Sequence, residues 1–237
     1  MKRSELIVTA ITFLVVVTIS LVIFNYNKEP DHYAASAKQM PDEFSHYDIA
    51  TKVWREVSQR TRINYRKPLF TNVAGVRSAC RVSSSINNPF YCPADRTIYM
   101  SPHFKGFLES RGAIGDMPLA FVMHHEVAHD LQSQAGLLWK LDRRTNDDIR
   151  LSENMADCLA GYSLYYAQSN YGYMRGLSDE AEVVLALNSV GCNHGDCSHG
   201  SSESRIDWFF RGFQKEGVQN CTAALYVQHL TGEDNED

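Results

Sequence analysis

The feature that most constrains the fold of this chain is the segment His125–His129, which reads HEVAH. On an α-helix, residues four apart lie on the same face about 6 Å from each other, so His125 and His129 can reach one metal ion. Glu126 lies about 100° further round, where it can touch a water that the metal holds. This division of roles is typical of zinc peptide hydrolases. Because so short a motif also arises by chance, the residues around it decide whether the interpretation as a zinc site holds.

The residues around the motif predict a buried helix. Gly115-Asp116 can form the N-cap, Pro118 suits an early helical position because its missing N–H costs nothing there, and Gly136 can end the helix. The residues between are apolar on most faces, so the polar motif would be costly to bury unless it is paired or bound to a metal. His124 lies about 100° round from His125, which favours packing or support of a ligand over metal ligation.

Two carboxylates downstream are candidates for completing the site. Thr145, followed by Asp148, resembles a capping box and predicts the start of a second helix. On that helix Glu153 and Asp157 are four residues apart, on one face with apolar neighbours. Because carboxylates are rarely buried without a partner, we interpret Glu153 as the third metal ligand and Asp157 as the acceptor that fixes the tautomer of a ligand histidine. The alternative is that both carboxylates are solvated.

Further motifs, spread over much of the chain, give it a resemblance to a known family. They are Trp54, Tyr65–Phe70, Ala79-Cys80, Phe90–Asp95, Ile98-Tyr99, the HEVAH segment, Glu153, Ala156–Cys158, His199–Ser202, Arg205, Trp208-Phe209 and Gly212-Phe213. From about Val53 to Cys221 the chain resembles the bacterial neutral zinc metallopeptidases, single-domain proteins of the zincin class with a glutamate as third ligand.

The resemblance implies an α+β, zincin-like metallopeptidase domain that is mainly helical with a small sheet. It implies one Zn²⁺ ion held by His125, His129 and Glu153, with Glu126 as general base. Three positions depart from the family pattern: Arg81 and Ala128 stand where Gly is usual, and Asp130 where His is usual. None of these departures removes a ligand, although Asp130 beside the site could alter its electrostatics.

The expected chemistry follows from three protein ligands, which leave one zinc position for water. Zinc lowers the pKa of that water towards 7, and Glu126 takes its proton during attack on a peptide carbonyl. His199, with Arg205 and the tyrosines behind it, is the candidate donor to the oxyanion, although helix capping explains His199 nearly as well. Two alternatives stay open: a catalytically silent membrane-anchored binding or scaffold protein, and zinc hydrolysis of a non-peptide amide.

The N-terminal segment predicts a membrane anchor. Leu6–Phe24 contains nineteen consecutive residues without a charge, enough to cross a bilayer core of about 30 Å. Lys2 and Arg3 precede it, and this bias places the N-terminus in the cytoplasm and the remaining chain outside. We therefore expect a single-pass inner-membrane protein with a periplasmic catalytic domain. The alternative is a cleaved signal peptide, although the cleavage-like Ala35–Ala37 lies far past the apolar run.

The chain divides into four predicted parts: an anchor over residues 1–24, a polar linker over 25–40, the metallopeptidase domain over 41–231 and an acidic tail over 232–237. The formal net charge of −5 argues against a nucleic-acid partner. The expected partners are a peptide or protein substrate and the membrane.

Six cysteines in an exported domain predict disulfide bonds. The preferred pairs are Cys80–Cys92, which flank a short polar loop, then Cys192–Cys197 and Cys158–Cys221. Six cysteines allow fifteen connectivities, so the pairing stays open. The alternative for one tract is a second zinc site made of Cys192, His194, Cys197 and His199, which an oxidising compartment disfavours.

Apolar periodicity predicts the remaining elements. These are an amphipathic helix over 44–57, extended segments near 67–76 and 96–101, and helices over 178–190 and 202–215. Thr97–Met100 mixes β-branched and aromatic residues just before the motif helix. We expect it to be an exposed edge strand that pairs with an extended substrate backbone.

Overall fold

Helices and short strands make up a mixed, mostly helical architecture in the part of the chain that the computed structural model describes. That part comprises residues 43–60, 63–83, 85–86, 88–137, 145–173, 176, 178–191, 199–215 and 217–221. Its elements in chain order are α1 (Glu43–Ser58), β1 (Leu69–Asn72), β2 (Val76–Arg77), β3 (Val82–Ser83), β4 (Phe90–Cys92), β5 (Thr97–Met100), α2 (Phe104–Ser110), α3 (Met117–Gln134), α4 (Asn146–Tyr171), α5 (Asp179–Val190) and α6 (Ser202–Gly212). The predicted class, mainly helical with little sheet, is confirmed.

The motif helix, α3, is the buried centre of the domain. Every residue from Met117 to Gln132 is buried, as the apolar pattern predicted. Pro118 stands in its first turn, but the side chain of Asp116 makes no capping bond. Instead, the Glu182 carboxylate of α5 accepts hydrogen bonds from the backbone N–H groups of Asp116 and Met117, at 3.1 and 3.3 Å. A negative group at this end also complements the helix dipole.

The second site helix, α4, begins as the sequence predicts. Thr145 is its N-cap, and the hydroxyl oxygen accepts a hydrogen bond from the backbone N–H of Asp148 at 3.1 Å. The helix ends at Tyr171, and its C-cap Gly172 has a φ of 64°, the left-handed conformation that favours glycine. Both Glu153 and Asp157 are buried on it, so the alternative of solvated carboxylates is wrong.

Helices α4 and α6 cross at two glycines. A Cβ on Gly161 would lie 2.2 Å from the backbone oxygen of Phe209, and a Cβ on Gly212 would lie 1.7 Å from the backbone oxygen of Cys158. Any larger side chain would push the two helices apart. This close crossing holds α6 against the part of α4 that carries Asp157.

The three-stranded sheet has the order β1-β5-β4, and β2 pairs separately with β3. Strand β5 runs parallel to β1 and antiparallel to β4, with Tyr99 opposite both Thr71 and Phe90. The prediction that Thr97–Met100 is an exposed edge strand is therefore wrong. Its backbone is paired on both sides, and the edge next to α3 is β4. A periodicity of two identifies a strand but not its neighbours.

Other element boundaries differ modestly from the predictions. The extended segments are shorter than expected, and α6 ends at Gly212, three residues before the predicted Lys215. Helix α2 was not predicted. Helices α1 and α5 lie where the periodicity placed them.

Two of the three predicted disulfide bonds are present. Cys80 is bonded to Cys92, with Cα atoms 5.7 Å apart, and Cys158 to Cys221, with Cα atoms 5.4 Å apart. The first joins the β2–β3 region to strand β4, and the second joins α4 to the helical residues 217–221.

Several predictions concern residues that lie outside the described part of the chain. They are the anchor Leu6–Phe24, the linker, the acidic tail, the Cys192–Cys197 pair and the second zinc tract except for His199. Among the described residues, none of the helices has the length and apolar character needed to cross a membrane.

Candidate metal centre

Three predicted ligands converge between α3 and α4. His125 Nε2 lies 3.1 Å from His129 Nε2 and 3.1 Å from Glu153 Oε2, and His129 Nε2 lies 3.5 Å from the same carboxylate oxygen. Tetrahedral zinc with bonds of about 2.0–2.1 Å separates its ligand atoms by about 3.3 Å. The three side chains are buried and form a group able to hold a metal ion. Their spacing fits zinc.

His125 is held by a buried ion pair. Its Nδ1 lies 2.8 Å from Asp157 Oδ1, so the ring donates to that carboxylate and presents Nε2 to the site. Arg205 of α6 donates to both oxygens of Asp157, from Nε at 2.7 Å and from Nη2 at 2.8 Å. Burial would raise the pKa of Asp157, but the Arg205 guanidinium outweighs it and lowers that pKa. Asp157 is thus a carboxylate when it supports His125, the role predicted from its spacing.

His129 is held by a neutral amide instead. Gln132 donates from Nε2 to the backbone oxygen of Ser152 at 2.9 Å, which leaves its Oε1 facing His129 Nδ1 at 2.8 Å. Because Oε1 only accepts, His129 donates from Nδ1 and presents Nε2 to the site. Gln132 was not among the predicted site residues. Its position three residues after His129, on the same helical face, was the available signal.

The convergence of these atoms favours a positive charge between them. Because each Nδ1 is bonded elsewhere, both Nε2 atoms face the Glu153 carboxylate, and three possible metal-ligand atoms lie within 3.5 Å of one another. Burial alone would lower the pKa of His125, but Asp157 and Glu153 outweigh it and raise that pKa to about 10. Burial likewise opposes ionisation of Glu153, yet the imidazoles of His129 and His125 hold its pKa well below the usual range. A divalent cation satisfies all three groups at once.

Glu126 lies in the same cavity but outside the ligand group. It is 6% exposed, and burial raises the pKa of its carboxyl group above the usual value. The backbone of Tyr91 in β4 opposes this rise in the pKa only in part. A carboxylate whose pKa is raised takes up a proton more readily, which suits a general base.

His199 stands at the rim of the site. Its Nε2 lies 3.9 Å from Glu153 Oε1, and 59% of its side chain is exposed. Arg205, which was predicted to lie behind it, is instead buried and hydrogen-bonded to Asp157. Ser201 of the same loop is the N-cap of α6, so the capping role considered for His199 belongs to its neighbour.

Two further residues beside the motif have partners of their own. His124 is buried and hydrogen-bonded to Ser163 Oγ at 2.7 Å, which agrees with the predicted packing role. Asp130 is buried and accepts from Gln134 Nε2 at 2.7 Å and from Arg96 Nη2 at 3.3 Å. Of these partners Arg96 supplies a positive charge beside the Asp130 carboxylate, whose effect on the site was predicted to be electrostatic.

A cavity of about 280 Å³ gives access to the three ligands and Glu126. Strand β4 and the flanking Pro89 and Pro93 form one wall, and residues of α2, α3, α4, α6 and the end of α5, together with His199, form the rest. The ring of Phe121, one turn before His125 on α3, has its centroid 6.0 Å from that of the ligand. The cavity is therefore mixed, polar at the ligands and apolar beside them.

Comparison with known proteins agrees with this geometry. A family model described as "putative neutral zinc metallopeptidase" matches residues 14–224. The chain belongs to this family. Membership implies zinc, and His125, His129 and Glu153 are the described residues that can hold it.

Similar proteins occur in Escherichia coli and in Mycobacterium bovis. The chain is 29% identical to the uncharacterized protein YpfJ of Escherichia coli strain K12 over 192 residues, which are 71% of this chain and 65% of that protein. It is 31% identical to the uncharacterized protein Mb2605 of Mycobacterium bovis over 183 residues, 66% of this chain and 62% of that protein. The chain thus spans less than two thirds of the length of these relatives. No solved structure matches.

Proposed function

We propose that this protein is a zinc-dependent metalloendopeptidase of the zincin class that hydrolyses peptide bonds outside the cytoplasmic membrane. The observation that carries the proposal is the convergence of His125, His129 and Glu153 at the spacing of tetrahedral zinc ligands, beside the buried Glu126 carboxylate. Family membership supports the same reading.

Each side chain of the site has a separate role in hydrolysis. Zinc, when bound, supplies a Lewis acid that lowers the pKa of a coordinated water to about 7 and polarises the substrate carbonyl. Glu126 accepts the proton of the attacking water and delivers it to the leaving amine. Asp157 and Gln132 keep the two imidazoles in the tautomer that ligation requires. His199, at the rim, is our candidate for donating a hydrogen bond to the oxyanion.

Strand β4 is the element best placed to hold a substrate backbone. It is the edge of the sheet nearest α3, and Phe90 and Tyr91 line the cavity. Pro89 and Pro93 flank it and lack N–H groups, which limits pairing at this edge to a short stretch around Tyr91. We infer that an extended peptide lies along β4 with its scissile carbonyl near Glu126.

The decisive experiment uses the full chain, purified in detergent. We expect one zinc per chain and cleavage of casein or of a peptide library. Glu126→Gln should keep the zinc and lose at least about a hundredfold in turnover, because the general base is gone. The control is Glu203→Gln on the exposed start of α6, which should cut normally.

Stoichiometric zinc without Glu126-dependent turnover of any peptide would contradict the peptidase proposal. That result would favour the anchored binding or scaffold protein instead. Cleavage of small amide substrates without any cleavage of peptides would favour hydrolysis of a non-peptide amide.

The extracytoplasmic location is a separate part of the proposal. The apolar segment Leu6–Phe24 and the two disulfide bonds support it, because such bonds persist in oxidising compartments. We expect alkaline phosphatase fused after residue 40 to be active in cells. An inactive phosphatase fusion, together with an active cytoplasmic reporter fused at the same position, would place the domain in the cytoplasm.

A further inference from the structure

Arg111 is a cation in the same cavity as the candidate metal site. It follows α2 directly and lines the cavity together with His125, Glu126 and Glu153. The role of this residue is not accounted for by the three ligands, the general base or the groups that support them.

The Arg111 guanidinium is held in place. Its Nη1 donates a hydrogen bond to the backbone oxygen of Ser189, in the last turn of α5, at 3.2 Å. Its Cζ also lies 4.7 Å from the ring centroid of Phe107, one turn earlier along the chain. Two contacts on different helices therefore orient the guanidinium before any ligand arrives, which lowers the entropic cost of binding.

Arg111 differs from the other guanidinium of the cavity in its charge balance. Arg205 is bonded to both oxygens of Asp157. In the part of the chain that the structure describes, no carboxylate lies within ion-pair distance of Arg111. A guanidinium has five N–H donors, and the hydrogen bond to Ser189 uses one. The others can be offered to a ligand.

Arg111 is exposed to solvent and therefore open to a ligand. The cavity that it lines also carries apolar residues, among them Phe107 and Val190. Because solvent screens an exposed charge, a single attraction between opposite charges contributes little there, and the geometry of the contact matters more. The planar fork of a guanidinium matches the two oxygens of a carboxylate.

We propose that Arg111 binds a carboxylate group of the substrate, and that it thereby selects peptides with a negative charge close to the cleaved bond. This inference rests on the proposed peptidase function. The carboxylate comes either from the free C-terminus of the peptide or from an Asp or Glu side chain. Both sources present the same two oxygens, so the experiment has to separate them.

The test measures equilibrium binding, which does not require turnover. The protein is the full chain with zinc and Glu126→Gln, so that bound peptides stay intact. Fluorescence anisotropy is recorded for three labelled peptides of one neutral core sequence: one with a free C-terminus, one C-terminally amidated, and one amidated with a single Glu added. We expect at least one carboxylate-bearing peptide to bind about tenfold or more tightly than the neutral amide.

Adding Arg111→Gln should remove that preference and leave the affinity for the neutral amide within about twofold. Whichever carboxylate peptide loses affinity identifies the source of the group. Arg111→Lys keeps the charge without the fork and should restore part of the preference. The matched control is Arg211→Gln, because Arg211 also lies over an aromatic ring, that of Trp208, and pairs with Asp207 outside the cavity.

Three outcomes overturn the proposal: no preference for a carboxylate in the parent protein, a preference that survives Arg111→Gln, or no binding of any of the three peptides. Thermal unfolding of each variant shows whether the lost contact with Ser189 has disturbed the fold. Failure of the peptidase proposal is recognised separately, since it appears as absent Glu126-dependent turnover while the binding comparison can still be made. With active protein, Arg111→Gln should raise KM for the selected peptide more than it lowers kcat.

Discussion

The two candidate histidine ligands, His125 and His129, lie on one helix four residues apart, yet they are supported in different ways. His125 donates to Asp157, and that carboxylate is paired with Arg205 from α6. His129 donates to Gln132, a neutral amide three residues further along the same helix. One ligand is therefore supported by buried charges from two other helices, and the other by an uncharged group of its own helix.

The support of His125 by Asp157 and Arg205, here called the charged side of the site, depends on how the helices pack. The support of His129 by Gln132, the neutral side, is largely local to α3. The Asp157–Arg205 pair spans 48 residues of sequence, and it exists only if α4 and α6 cross as they do. A carboxylate also makes its histidine a stronger base than an amide does, because it stabilises positive charge on the ring. We expect damage on the charged side to reduce both stability and zinc affinity, and damage on the neutral side to be milder.

The largest effect is expected for Asp157→Asn. The substitution keeps the shape of the side chain but leaves Arg205, which is 4% exposed, without its counter-ion. Removing one partner of a buried ion pair lowers the free energy of unfolding by about 3–5 kcal/mol. Loss of a carboxylate behind a ligand histidine typically weakens metal binding by about 10- to 100-fold. Urea unfolding of the zinc-free protein and chelator competition measure the two quantities separately.

A second substitution separates the two consequences. Asp157→Asn combined with Arg205→Leu removes the orphaned charge, so most of the lost stability should return. Zinc affinity should stay low, since His125 still lacks its carboxylate. If the double variant instead recovered zinc affinity as well, Asp157 would act on the metal only through the fold, and the contrast between the two ligands would lose its basis.

The charged side was partly predictable from the sequence. The four-residue spacing of Glu153 and Asp157 indicated that both carboxylates face the candidate metal site, because helix geometry alone places them on one face. Arg205 was assigned near His199 because helical spacing gives no information about contacts between elements 48 residues apart. A buried carboxylate does require a partner, and this requirement could have directed the search for a cation.

The sheet shows the same limit. Alternation identified Thr97–Met100 as a strand, but its position between β1 and β4 depends on pairing with segments on both sides in the sequence. Burial of Thr97, Ile98 and Met100 follows from that central position. The helices around the ligands were predicted more closely, since the cap at Thr145 and the apolar run of α3 are local signals.

The smaller effect is expected on the neutral side, for Gln132→Ala. The substitution removes the acceptor of His129 and the donor to the backbone oxygen of Ser152, and both groups are buried. Leaving buried polar groups unpaired costs about 1–3 kcal/mol. We expect zinc affinity to fall by about tenfold, which is the lower end of the range for losing a group that supports a metal ligand. The effect is small because a neutral amide contributes little to the basicity of the imidazole ring.

Gln134→Ala is the matched control for this prediction. Gln134 is the second glutamine near the end of α3, and its amide bonds to Asp130 and to the backbone of Arg66 rather than to a ligand. Its loss should reduce stability without changing zinc affinity, as read by the same chelator competition. If Gln132→Ala weakened zinc binding as strongly as Asp157→Asn, orientation of the imidazoles would matter more than the charge behind them. Equal zinc affinities for Gln132→Ala and Gln134→Ala would instead mean that His129 keeps its tautomer without the amide, and that the site depends on its charged side alone.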